Sequence, residues 1–212
     1  MTEPTSISTF ALFLPATLTP DLPMSDTFLE SAAKSALDPH NIRCERNGER
    51  QLRLDVPPSE TTWLMIMRFE RGLRRWVHEN KRAGKVIVRR RIFLENEWML
   101  TPDIAYFASN KGAPFFVDLC WPLKFCPKFV VEFCSDSHEL QSLQRKMSFW
   151  IASGVELGWL VFPKAECMFV YAPGVEPLIV REFGLGQGRL HGFVLPLAEL
   201  WCLKECSTST DR

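Results

Sequence analysis

Three side chains stand where chemistry can be done. Glu132 lies in Phe129–Cys134 (FVVEFC), an otherwise apolar run. Asp103 opens a second apolar run, Asp103–Ala108 (DIAYFA), directly after Pro102. Lys146 follows in a stretch of helical spacing. In the first run Phe129, Val131 and Phe133 share one face of a strand, and Val130, Glu132 and Cys134 share the other. Both faces are mostly apolar, as in a strand covered on both sides, so Glu132 is expected to be at least partly buried. A lone ionised carboxylate is costly in such a place and must be paired, hydrogen-bonded or bound to a metal. A structural Glu–Lys or Glu–Arg pair and a functional site perturb a carboxylate alike, so on this strand alone both readings stand. Asp103 also has a plain alternative, a turn or cap aspartate.

The elements that must position these groups are legible around them. After the Glu132 strand, Ser135, Asp136 and Ser137 are good N-cap types and Glu139 suits a first turn. Leu140, Leu143, Met147, Trp150 and Ile151 form an apolar stripe, flanked by Gln144 and Lys146. Gly154 marks the stop, and Glu156–Phe162 (ELGWLVF) reads as a second strand. A helix of that length returns the chain, so the two strands are expected to be parallel neighbours with a right-handed connection. Upstream, Asn41–Val56 reads as a hairpin about Asn47-Gly48. Ser59 is a candidate cap, and Glu60 to about Arg82 follows a helical pattern with Trp63, Ile66, Phe69, Leu73, Trp76 and Val77 inward. Lys85–Leu94 reads as one strand, partly edge-like, and a turn at Glu95–Glu97 leads to Trp98–Leu100. Lys111–Leu123 reads as a loop. Further on, Cys167–Tyr171 and Pro177–Phe183 form an expected hairpin on the sheet edge. Gly184–Gly192 reads as a glycine-rich loop without the strand-to-helix context of a phosphate loop. Leu195–Trp201 is expected to close the fold as a short helix.

A chain of 212 residues with 46% hydrophobic and 24% charged residues suits one globular domain. The expected division is an arm over 1–24, one domain over 25–204 and a frayed tail over 205–212. A short helix is expected within 25–38. No stretch reaches membrane-span length, and the N-terminal segment lacks the basic start of a signal peptide. Formal net charge is +0, so no global nucleic-acid signature exists. The charge is uneven, however. Ten Lys/Arg and only two Glu lie between Arg68 and Arg91, with Arg68, Arg71, Arg75 and Arg82 near one helix face. That pattern fits a solvated basic face or a phosphate-contacting patch. Seven cysteines show no CxxC pair, which suggests reduced cytoplasmic thiols and disfavours zinc. The four histidines, His40, His78, His138 and His191, show no triad or metal spacing, so a serine or cysteine hydrolase has no support.

The order of Asp103, Glu132 and Lys146 carries a resemblance. The sequence is similar to the Uma-type putative restriction endonuclease family of the PD-(D/E)XK nuclease superfamily. Thr101-Pro102-Asp103 resembles the family's Ser-Pro-Asp. Val130-Val131-Glu132 with Ser135-Asp136-Ser137 resembles its Val-Val-Glu and Ser-Pro-Ser. Leu143–Met147, Gly154–Leu160 and Pro196–Trp201 resemble its helix, following strand and closing segment. The likeness runs from about residue 41 to 202 and is strongest over 99–163. Thr101 replaces the family's serine, and Asp136, which adds negative charge near the site, replaces its proline.

The resemblance implies an α/β (α+β) fold, with a mixed central sheet flanked by helices and extra β-hairpins. It implies a metal-dependent endonuclease acting on DNA. Asp103 and Glu132 would hold Mg2+ or Mn2+, hard cations that prefer oxygen ligands, and the metal would activate water. Glu60 is a further candidate ligand. In the wider superfamily the lysine sits two residues after the glutamate. Cys134 occupies that position here, and the resemblance places the lysine at Lys146, where its ammonium would orient water or stabilise the phosphorus centre. Gln144 is a weaker candidate, for holding water or Lys146. Arg68, Arg71, Arg75 and Arg82 would contact the nucleic-acid backbone. Relatives of this fold often dimerise to cut two strands, so a homodimer is one expected assembly; no organic cofactor and no membrane is implied. The alternative is an inactive nuclease-fold protein that binds DNA or builds an assembly, with Glu132 and Lys146 as a structural pair. A third class, a purely protein-interaction domain, predicts no salt-sensitive DNA binding.

Overall fold

Alternation and helical stripes set the layers. The computed structural model describes residues 17–18, 43–46, 52–55, 58–94, 98–109 and 126–208. In chain order they form β1 (Thr17–Leu18), β2 (Arg43–Arg46), β3 (Leu52–Asp55), helix α1 (Glu60–Glu79), β4 (Gly84–Val88), β5 (Ile92–Phe93), β6 (Met99–Leu100), β7 (Ile104–Ala108) and β8 (Phe129–Phe133). Helix α2 (Leu140–Ala152), β9 (Leu157–Phe162), β10 (Cys167–Tyr171), β11 (Leu178–Val180), β12 (Phe183–Leu185), β13 (Val194–Pro196) and helix α3 (Ala198–Thr208) follow. Among the described residues the main sheet has six strands in the order β11-β10-β9-β8-β7-β4. β8 and β9 run parallel, with Val131 beside Trp159. The other neighbours in that sheet are antiparallel. A smaller antiparallel sheet has the order β1-β3-β2-β6-β5, and β12 pairs with β13. The fold is α+β, a mixed sheet flanked by helices.

The central strands β8 and β9 are buried along their whole length, because both faces are covered. On one face α1 packs beside α3. Phe69 and Leu73 of α1 meet Val131, Phe133 and Trp159 of the sheet, with Leu197 and Leu200. Helix α1 starts where Ser59 Oγ accepts the Thr62 N–H at 3.2 Å, and Glu60 follows in its first turn. On the other face lie α2 and the smaller sheet. Leu143, Met147 and Trp150 of α2 meet Val130 and Leu160 of the main sheet and Ile92 and Leu100 of the smaller one. Trp98 stacks on Phe149 with ring centroids 3.9 Å apart.

Several expectations need correction. Lys85–Leu94 is two strands in two sheets, because Arg89 takes a left-handed conformation (φ 47°) and turns the chain from β4 toward β5. Gly184–Gly192 is not all loop. Gly184 pairs with Leu195 in the β12–β13 hairpin, and a Cβ on it would lie 2.7 Å from the Trp159 ring. That glycine permits a close approach of backbone to indole, not a flexible loop. The closing segment divides into β13 and α3. The helix expected within 25–38, the turn at 95–97 and the loop 111–123 lie outside the described residues. Of the arm over 1–24, Thr17 and Leu18 are described, paired with Asp55 and Leu54.

Candidate active site

The alternation that faces Val131 toward α1 faces Glu132 toward α2. Antiparallel β7 and β8 place Ile104 opposite Val131, and one step further along that register Asp103 comes level with Glu132. Both carboxylates are completely buried. Asp103 Oδ2 accepts the Phe133 backbone N–H at 2.8 Å, and its Oδ1 lies 3.2 Å from Arg89 Nη1. The left-handed Arg89 thus folds its guanidinium inward onto the aspartate. Glu132 Oε1 accepts the Trp150 indole N–H at 3.2 Å and lies 2.8 Å from Lys146 Nζ. Lys146 and Trp150 are four residues apart, so both reach the sheet from one side of α2.

Lys146 has two more partners. It donates to the Thr101 carbonyl at 3.0 Å and forms an ion pair with Glu45. Glu45 is itself buried, on β2, and accepts the Thr101 backbone N–H at 3.0 Å. Sequence reasoning missed Glu45. In Arg43–Arg46 (RCER) three of four residues are charged, so alternation marks no inward face. The turn expected at Asn47-Gly48 pointed to a hairpin but not to what the hairpin packs against.

The family described as "Putative restriction endonuclease", Uma2, matches residues 27–201. The chain belongs to the Uma2 family. A solved structure of a putative nuclease from Anabaena variabilis shares the fold, with a TM-score of 0.65 at 15% identity over 76% of this chain and 90% of that one. No curated protein matches. The family and that solved structure are described as the same class of protein, a putative nuclease.

The other expected site residues are more dispersed in this Uma2 chain. Glu60 is exposed at the start of α1. That helix start lies near the exit of β8, where Thr62 Oγ1 and Ser135 Oγ are 3.3 Å apart. Gln144 is half-buried, and its side chain makes none of the site's described hydrogen bonds. Arg68, Arg71 and Arg75 are exposed on α1, on the sheet face opposite the one that carries Glu132. Arg68 lies 3.7 Å from Glu199. Arg82 lies beyond the helix end, over the Trp76 ring at 5.4 Å. Cys134 is buried, and burial, reinforced by nearby Glu139, pushes its thiol up to about 12. It stays a neutral thiol donating to the Asp136 carbonyl, so it supplies no cation in the superfamily's lysine position. Asp136 caps the turn Ser137–Glu139 and faces Lys164 at 3.4 Å. The His138 N–H and then Lys164 hold its carboxyl below the usual range. Its charge is therefore used locally.

Proposed function

We propose that the chain is a divalent-metal-dependent nuclease that hydrolyses phosphodiester bonds in DNA. The observation that carries this reading is that Asp103 and Glu132 lie level on adjoining strands, both buried, with Lys146 of the following helix paired to Glu132. The donor set fits magnesium or manganese. Both are hard ions, and magnesium is usually held by one or two carboxylates together with water and substrate phosphate. Among the described residues no three His, Cys, Asp or Glu side chains close around an ion. Two carboxylates from adjoining strands match the one or two that magnesium usually takes from a protein. A divalent cation held there supplies Lewis-acid activation of water and offsets charge on the phosphate.

The chain's own groups do the positioning. The Phe133 N–H and Arg89 fix the Asp103 carboxylate, and the Trp150 indole fixes one oxygen of Glu132. The Lys146 ammonium has three protons to donate and can turn one toward an attacking water or a phosphate oxygen. Basic side chains supply backbone contacts. Beside exposed Arg71 and Arg75 a groove of about 570 Å³ is lined by Arg74, His78, Lys81, Arg82 and Lys85. Among the described residues no helix is long and apolar enough to cross a membrane. Free thiols at Cys134, Cys167 and Cys202 support a reducing, cytoplasmic setting.

The deciding experiment is nicking of supercoiled plasmid with Mg2+ or Mn2+, beside Asp103→Ala and Lys146→Ala. Wild-type cutting that needs metal and disappears in both variants is expected. Equal cutting by all three would refute the assignment. One observation favours a second reading, a DNA-binding module without cleavage. Asp103 and Glu132 are already paired, with Arg89 and Lys146, as a purely structural network would be. Salt-sensitive DNA binding without any metal-dependent cutting would select it.

A further inference from the structure

We infer that Glu45 is a positioning residue: together with the Thr101 carbonyl it keeps the Lys146 ammonium in the site while Glu132 takes up the divalent cation. The inference rests on the metal-dependent reading above. An ammonium has three N–H donors and no acceptor. Lys146 meets Glu45, Glu132 and the Thr101 carbonyl. Glu132 cannot serve a cation and the lysine equally, because two positive charges on one buried carboxylate repel each other in a medium of low dielectric constant. When Glu132 engages a metal, Lys146 must loosen its hold there. Its side chain is 9% exposed, so water offers little replacement, and a buried ammonium without a partner is costly. Glu45, already paired with Lys146, supplies the anionic partner that remains. It comes from a different sheet, it is buried, and the Thr101 N–H anchors it. The same residue thus holds both ends of the arrangement. Thr101 gives its N–H to Glu45 and its carbonyl to Lys146, two residues before Asp103.

Glu45→Gln separates this role from others. Glutamine keeps an acceptor for the Thr101 N–H but loses the charge. Lys146 then has Glu132 as its one anionic partner of the two and competes harder with the metal. The readout is Mn2+ binding to the full chain without DNA, by titration calorimetry, for wild type, Glu45→Gln, Lys146→Met and the double variant. Glu45→Gln is expected to weaken Mn2+ binding about tenfold by lowering the fraction of open sites. In the Lys146→Met background the same change should alter affinity by less than about twofold, since no lysine remains to compete. Equal weakening in both backgrounds would mean that Glu45 acts on the metal directly and would overturn the inference. No change in either background would overturn it as well. A wild type that binds no Mn2+ would overturn the metal-dependent reading and this inference with it, a result distinct from the other two. A second readout is the cleavage rate. Glu45→Gln should lower kcat and leave the KM for DNA unchanged, whereas a rise in KM alone would count against a role in holding Lys146. If thermal melting shows that Glu45→Gln does not fold, Glu45→Asp takes its place. Its shorter reach should weaken Mn2+ binding in the Lys146 background alone, and equal weakening in both would again refute the role.

Discussion

Lys146→Met tests the buried charge network through stability, with no appeal to catalysis. Methionine keeps most of the apolar stem and removes the ammonium. The change leaves Glu132, fully buried, and Glu45, 7% exposed, without their shared cation. Removing one partner of a buried ion pair costs about 3–5 kcal/mol, because the charge left behind has lost its compensation. The Thr101 carbonyl also loses a donor, worth about 1 kcal/mol. Two contacts soften the loss. The Trp150 indole still donates to Glu132, and the Thr101 N–H still donates to Glu45. The expected destabilisation is therefore at the lower end, about 3–4 kcal/mol. For a chain of this size that lowers the melting temperature by roughly 10 °C. In urea it shifts the unfolding midpoint by about 1–2 M with an unchanged slope. The double variant Lys146→Met, Glu45→Gln removes one of the two stranded charges and should recover at least about 1 kcal/mol of the loss. Lys164→Met is the control, because Lys164 meets Asp136 at the surface and should leave the midpoint unmoved. A loss below about 1 kcal/mol for Lys146→Met would refute the reasoning. So would a double variant less stable than the single one.

Three further outcomes follow from other parts of the structure. The chain has two tyrosines; burial raises the Tyr106 phenol above its ordinary value and pushes Tyr171 up to about 12. The stability they contribute is present below about pH 10 and is lost as pH rises through the folded values, for Tyr171 about 12; just above pH 10, phenolate absorbance should be lower in the folded protein than in urea, and equal absorbance would count against it. Gly184→Ala drives a Cβ into the rigid Trp159 ring at 2.7 Å and should destabilise by about 1–3 kcal/mol, whereas Gly72→Ala, with nothing within 4 Å in α1, should stabilise by about 0.5–1 kcal/mol; urea midpoints moving in the same direction would refute the contrast. Arg71→Ala and Arg75→Ala, both exposed, should each reduce the salt dependence of DNA affinity by about one phosphate contact without changing the melting temperature, and an unchanged salt slope would remove these residues from the interface.

What the sequence disclosed and what it hid divide along one line, local against long-range. Alternation around Glu132 implied a strand covered on both faces, and β8 is buried throughout. The stripe Leu143, Met147 and Trp150 implied the inward face of α2, and those three are its buried residues. The length of that helix implied parallel neighbours, and β8 and β9 are parallel. Each of these signals is a period within one element. Glu45 is not of that kind. It becomes part of the site because β2 belongs to a second sheet that packs over α2, and nothing in Arg43–Arg46 announces that partner. Arg89 is similar. In the run Arg89–Arg91 it reads as surface charge, yet a left-handed backbone turns it onto Asp103. Gly184 was misread for the opposite reason. Glycine is common where chains bend, and the ring that requires it here lies on β9.

The layers also bear on how a nucleic acid would meet this molecule. Helix α1 starts beside Ser135, near the exit of β8 and so near the acidic site. Its other end borders the basic groove at the start of β4. Pairing of β4 with β7 sets Gly84 opposite Ala108 and Val88 opposite Ile104, so the groove lies at the end of the sheet away from Asp103. A helix of 20 residues at 1.5 Å each separates the two places by about 30 Å, the length of about nine base pairs. The arginines Arg68, Arg71 and Arg75 lie along that path, on the sheet face turned from Glu132. A duplex that touched both the groove and the carboxylates would have to follow α1 and bend around its first turn. On the proposed reading, contact at the groove and chemistry at Lys146 are therefore separable. Loss of salt-dependent binding in the arginine variants would not imply loss of the site, and loss of cutting in the Lys146 variants would not imply loss of binding.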